Sequence, residues 1–149
     1  MPPTPDDPAA RLGEALGGLR VVVEEVACNA AGIEVPSYAG RRPTSRVTLR
    51  GRRSAGHGEN VAWTEAAHAR FARHVRAVPR GSWRLGEWAA AMRQAVTDPY
   101  ERAALEAAAV DLVLRQHHTQ LFGLAGVAGS AVRYVVSFGR IPEIGRAHV

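Results

Sequence analysis

The sequence contains no lysine; every one of its 19 basic residues is arginine. That excludes a lysine base or a lysine Schiff base, and the bias fits the Ala, Gly, Arg and Val codons of a GC-rich genome. There is one cysteine, Cys28, so an internal disulfide and a zinc site of several thiolates are both excluded. Cys28 reads as a small core residue in a reducing compartment. No window approaches the roughly 18 apolar residues of a membrane span. The opening MPPTPDDPAARLGEALGG places Asp6, Asp7 and prolines where a secretory signal needs a basic end and an apolar run. The expected location is the cytoplasm, with no membrane partner. Aromatic residues make up only 6%, and none is interleaved among the arginines where a base-stacking platform would need them.

What is present suits one folded domain. At 149 residues and 46% hydrophobic composition, the chain can build one core but not two substantial ones. The net charge of +5 is concentrated around Arg41, Arg42, Arg46, Arg50, Arg52 and Arg53. Arg46, Arg50 and Arg52 alternate with Val47, Leu49 and Gly51, which is the pattern of a solvated face on a half-buried strand. No nucleic-acid partner is therefore expected. The alternative kept open is a small Arg-rich nucleic-acid-binding or stand-alone interaction module.

Along the chain, Met1 to about Gly18 reads as a mobile extension with one or two helical turns at Ala9 to Leu16. Three strands are predicted at Leu19–Cys28, Arg46–Arg50 and Glu59–Trp63, forming an antiparallel meander. The first connection, roughly Asn29 to Ser45, carries Gly32, Pro36, Gly40 and Pro43, and loops of that length are more often functional than idle. The second, Gly51 to Gly58, reads as a hairpin turn. Helices are predicted from Thr64 to about Val78, with Ala67, Phe71 and Val75 on one face, and from about Leu85 to Ala95, with Trp88 and Met92 sharing a face. A third runs from Tyr100 to about His117, where Asp98, Pro99 and Glu101 supply a capping-box-like start. Its Ala103–Leu114 stretch is apolar nearly all round, so it is buried, and Asp111 and Arg115 are placed to pair on its surface. Near the C-terminus, Val132-Arg133-Tyr134-Val135-Val136-Ser137-Phe138 has the composition of a strand buried on both faces. No repeats or low-complexity tracts appear.

Candidate motifs for chemistry mostly dissolve. Gly56-His57-Gly58-Glu59-Asn60 lacks the third glycine of a dinucleotide fingerprint and runs into a strand instead of a helix. His68 and His74 are six residues apart, about 240° around a helix, so they do not converge on a metal. His117 and His118 sit at a helix end, where a capping role suits them. There is no GxSxG, and no acidic cluster marks the strand ends. No catalytic set and no metal ligands are recognised.

The order of elements carries a resemblance. Ala55-Gly56-His57-Gly58-Glu59-Asn60-Val61 is similar to the glycine-rich GxGE turn and strand of the N-terminal capping domain of the enolase superfamily, in its mandelate racemase and muconate cycloisomerase branch. The helix from Arg102 to Gln116 resembles that domain's Ala-rich helix with its apolar-Asp-x-Ala-Leu core, with Val113 standing where alanine is usual. Leu121-Phe122-Gly123-Leu124-Ala125-Gly126 resembles the linker into the barrel, and Val132–Phe138 the first barrel strand. The likeness covers about Leu19 to Gly139.

The resemblance implies an α+β fold in which a three-stranded antiparallel meander is followed by a helical bundle, ahead of the first strand of a (β/α) barrel. Its parts would be an extension at 1–18, a cap at 19–126, a linker and barrel strand at 127–142, and a tail at 143–149. Glu143–Val149 resembles an in-frame translation of a sequencing adapter. The parent enzyme would abstract a proton α to a carboxylate and stabilise the enolate on Mg²⁺, in a homo-oligomer acting on a small carboxylate substrate. Its base and magnesium ligands would lie on later barrel strands, so this chain would supply specificity alone. The family's substrate-closing segments carry over to about Asn29–Ser45 and Arg52–His57, making Ile33, Tyr38, Arg41 and His57 the expected contacts.

Overall fold

The computed structural model describes residues 7–34 and 41–126, so Tyr38 and the Val132–Phe138 run lie outside the described residues. The fold is mixed α and β. Its centre is a three-stranded antiparallel sheet of β2 (Glu25–Glu34), β3 (Arg41–Gly51) and β4 (Ser54–Asn60) in the order β2-β3-β4. Glu25 pairs with Arg50 and Glu34 with Arg41, while Gly51 faces Ser54 across the second hairpin. That hairpin is a two-residue turn at Arg52 and Arg53, whose φ values of 48° and 62° are both left-handed. Such a turn matches the right-handed twist of its strands and ordinarily selects Asn-Gly.

Three sequence expectations are corrected here. The strand expected at Leu19–Cys28 breaks at Glu24 into β1 (Arg20–Val23) and β2. β1 leaves the main sheet and pairs antiparallel with β5 (Gly81–Arg84). The Asn29–Ser45 connection is largely strand, because β2 continues to Glu34 and β3 starts at Arg41. Gly32 and Pro43, read as loop residues, are cross-strand partners. β4 reaches only as far as Ser45 on β3, so one edge of β3 is unpaired by β4 at Pro43, and an edge is where a residue without an N–H is tolerated. The third strand spans Ser54–Asn60 instead of Glu59–Trp63, which puts Gly56-His57-Gly58 within a strand and not in a turn.

The helices form where caps and apolar spacing direct them. The Thr64 hydroxyl accepts from the Ala67 N–H to start α2 (Glu65–His74), which tightens into a 3₁₀ turn at Val75–Ala77; Ala67, Phe71 and Val75 are all buried. α3 (Leu85–Ala95) buries Leu85, Trp88 and Met92. In α4 (Pro99–Gln116), Asp98 accepts from the Tyr100 and Glu101 N–H groups and Pro99 occupies the first turn. α5 (Leu121–Ala125) ends at Gly126 in the left-handed conformation, a helix stop that glycine permits at no steric cost. At the other terminus Pro8–Gly18 is a full helix, α1, capped by Asp7, and its Leu16 packs against the core.

α4 lies on β4 closely enough to touch backbone. A Cβ at Gly58 would meet the Ala104 carbonyl oxygen at 1.9 Å, and one at Gly56 the Ala108 oxygen at 2.2 Å. Only glycine fits at either position, and that contact seals the core of Val47, Leu49, Leu105, Ala108 and Leu112, all wholly buried. Gln116, at the end of α4, bridges the break between β1 and the sheet. Its amide donates to the carbonyls of Val22 and Gly51 at 2.8 and 3.0 Å and accepts from the Val22 N–H at 3.0 Å. Among the described residues, no helix is long and apolar enough to cross a membrane.

Candidate functional site

A three-stranded meander has two ends, and each carries its own constellation. At the first end β2 leaves toward residues 35–40 and β4 passes into α2. There the Arg42 guanidinium lies 4.5 Å from the centre of the Trp63 ring and donates to the Val61 carbonyl at 3.2 Å. Trp63 is 56% exposed, so this cation and ring present a surface. Beneath them the Thr44 hydroxyl bonds the Glu59 carboxylate. Ser45 donates to His68 Nδ1 at 2.8 Å, and His68 Nε2 donates to the Ala62 carbonyl at 3.0 Å. Because a carbonyl can only accept, Nε2 carries the hydrogen of that bond, and in the neutral ring Nδ1 is then the acceptor from Ser45. Asn60 is wholly buried; its Oδ1 accepts from the Ala62 N–H at 3.0 Å, while its Nδ2 has no hydrogen-bond partner among the described residues. These bonds fix the passage from β4 into α2 and aim Val61 and Trp63 outward.

At the opposite end the Arg52-Arg53 hairpin approaches the junction of α4 and α5. Between them opens a cleft of about 880 Å³ lined by Arg53, His57, Asp111, Arg115, His118 and Phe122, with Ala55, Leu114 and Leu121 among its apolar walls. The Asp111 carboxylate accepts from the backbone N–H of His57 at 3.0 Å and from Arg115 Nε at 2.8 Å. The helix pair read from the sequence thus also ties α4 to β4. His57 Nδ1 lies 3.1 Å from the Thr48 hydroxyl.

The structure separates the expected contact residues. Ile33 and Arg41 sit beside one another at the first end, opposite Arg42 and Glu34 respectively. His57 pairs with Thr48, seven positions along β3 from Arg41, a span of roughly 23 Å at strand rise. The placement of His57 in a turn near the Asn29–Ser45 segment is therefore corrected: it stands mid-strand, toward the other end. Arg42, Trp63 and Asn60 entered the sequence reading only as a charge, a strand end and a motif residue, and not as site residues. Their signal was the strand count, since the connection after the first strand and the exit from the third lie at one end of any meander.

A third polar cluster is internal. Glu101, wholly buried, accepts from Arg70 Nε at 2.9 Å and from His74 Nδ1 at 2.6 Å, while Arg70 also bonds Asp98 at 2.5 Å. Instead of reaching back to complete a capping box, Glu101 clamps α2 to the start of α4. Burial pushes the Cys28 thiol above its ordinary value, in keeping with a packing residue and not a nucleophile. Among the described residues, no group of three or more His, Cys, Asp or Glu side chains is placed to hold a metal ion.

Residues 14–124 match the family described as domain of unknown function (DUF8230) N-terminal domain, and the chain belongs to that family. No curated protein matches it, and no solved structure does.

Proposed function

We propose that this member of the DUF8230 N-terminal-domain family is the capping part of an enzyme of the enolase-superfamily type, which removes a proton α to a carboxylate and holds the enolate on Mg²⁺. The observation that carries the reading is the seating of the Ala-rich helix α4, backbone to backbone, on the Gly56-x-Gly58-Glu59 strand of a three-stranded meander. Two of the motifs that carried the sequence resemblance, the Gly56-x-Gly58-Glu59 strand and the Ala-rich helix, meet in that contact. The described residues offer no ligand set that fits the magnesium ion, so base and ligands are assigned to polypeptide beyond this domain. What the cap contributes is closure over a small carboxylate substrate, which excludes water and shapes the pocket. Ile33, Tyr38 and Arg41 are the candidates for that closing end, joined by Arg42 and Trp63. His57 is assigned away from it. The parent is proposed to be a homo-oligomer.

The test is to express the chain with the coding sequence that follows it and to incubate the product with Mg²⁺ and a panel of α-proton-bearing carboxylates in D₂O. Exchange of the α-proton, read by proton NMR and abolished by chelation, is the expected result. A continuation without acidic residues at successive strand ends, or a folded product with no exchange on any member of the panel, would sink the proposal.

A further inference from the structure

The cleft at the hairpin end is framed by two left-handed stops, the two-residue hairpin turn and the C-terminal turn of α4, where the His118 N–H reaches the Arg115 carbonyl, and both carry side chains where glycine or asparagine is usual. The described residues include three non-glycine residues with positive φ, Arg52, Arg53 and His118, at 48°, 62° and 50°; two of them line this one cleft and the third adjoins it. For an L-residue the left-handed region brings Cβ against the backbone, and the strain persists where the surrounding structure holds it. Asn-Gly would make the same hairpin with less strain. Here the turn holds two arginines, and Arg53 lines the cleft.

The lining fits one class of ligand. Arg115 and Asp111 neutralise each other across 2.8 Å, which leaves Arg53 as the unbalanced charge of the wall. Neither the Arg53 nor the His118 side chain has a hydrogen-bond or ion-pair partner among the described residues. The same lining includes Ala55, Leu114, Leu121 and Phe122, the last two 41% and 57% exposed. Arginine matches planar or tetrahedral oxyanions through paired N–H groups, and a volume of about 880 Å³ lies within the range of small-molecule sites. We infer that this cleft binds an oxyanion, carboxylate or phosphate monoester, carried on an aromatic or aliphatic body, with Arg53 and His118 on the oxyanion and Phe122 and Leu121 on the body. The inference is independent of the enolase-type reading, whose proposed substrate end is the other end of the meander.

Phenylacetate, phenyl phosphate and uncharged benzyl alcohol are the probes, titrated into the 149-residue chain and followed by the backbone amide shifts of His57 and Thr119. Saturable binding of at least one anion, weakening as salt rises, with none of benzyl alcohol, is expected; whichever anion binds more tightly names the head group. Arg53→Gly separates function from folding. It relieves the left-handed strain, so the melting temperature holds or rises, while anion affinity falls at least fivefold; Phe122→Ser weakens both anions by a similar factor. Absence of saturable binding for both anions overturns the inference, including the case in which the chain's own later residues fill the cleft. So does equal binding of benzyl alcohol, or an Arg53→Gly protein that binds as tightly as the original.

Discussion

Replacing Gly58 by alanine tests the contact on which both the fold and the functional proposal rest. The new Cβ would stand 1.9 Å from the Ala104 oxygen, 2.9 Å from its carbonyl carbon and 3.0 Å from the Ala108 nitrogen. All three are backbone atoms of a helix, so no side chain can rotate away, and α4 must retreat by about 1 Å to restore even 3.0 Å. Overpacking of that kind costs about 1–3 kcal/mol. A gap of 0.5–1 Å also forfeits roughly a quarter to a half of each dispersion contact, and the contacts at stake are those of Ala104, Leu105, Ala108 and Leu112, each at most 1% exposed. Taking the upper end of the overpacking cost with about 1 kcal/mol for the weakened contacts, the sum is about 4 kcal/mol, a large share of the roughly 5–15 kcal/mol that holds a domain together. With an m value of about 1.5 kcal/mol/M, the urea midpoint should fall by roughly 2–3 M. Gly13→Ala is the control: nothing lies within 4 Å of its added methyl group, and a helical alanine should gain about 0.5–1 kcal/mol over glycine. Urea unfolding of both variants followed by circular dichroism decides the matter. A Gly58→Ala protein within about 1 kcal/mol of the parent would refute the backbone contact.

Three further outcomes follow from named contacts. Arg70→Met should cost about 2 kcal/mol, the worth of a charged hydrogen bond, because it leaves the wholly buried Glu101 with His74 as its remaining partner; thermal unfolding measures it, and a loss below about 0.5 kcal/mol counts against the clamp. Gln116→Leu removes three bonds to Val22 and Gly51 and should cost about 2–3 kcal/mol while exposing the Val22 amide to hydrogen exchange; unchanged protection there would refute the bridge. Burial raises the Cys28 thiol, so its neutral form is the one the fold favours. Any stability it carries is whole below the unfolded thiol value of about 8.5 and is lost as pH rises toward the higher folded value; Cys28→Ala should flatten that alkaline decline, and a stability profile identical in both proteins between pH 8 and 10 contradicts the sign.

How legible each element was depended on whether its signal was local. α4 could be read almost residue for residue because Asp98, Pro99 and a continuous apolar stretch all sit in one window. α3 was equally plain. β5, four residues of Gly-Ser-Trp-Arg, carries no alternation long enough to notice; it exists because β1 turns aside at Glu24 and needs a partner. The ends of β2 and β3 were hidden for a related reason. Gly32 and Pro43 are loop signals by composition, yet cross-strand pairing holds them in the ladder.

β4 shows how one local misreading displaced the candidate site. Glycine is depleted in strands, so Gly56-His57-Gly58 read as a turn; its glycines answer instead to a helix that must come within backbone contact. Starting the strand five residues too late put His57 in the hairpin loop and beside the substrate-closing segment. With the strand at Ser54–Asn60, His57 falls mid-strand, the hairpin shrinks to Arg52-Arg53, and the exit at Val61–Thr64 comes to the end where Ile33 and Arg41 stand. The cation and ring of Arg42 and Trp63 then meet across that end. Of the hairpin's two arginines, Arg52 was read from the sequence as part of a solvated face; both are exposed, and both occupy backbone positions where an arginine is costly, which is the physical reason for looking to them for a ligand.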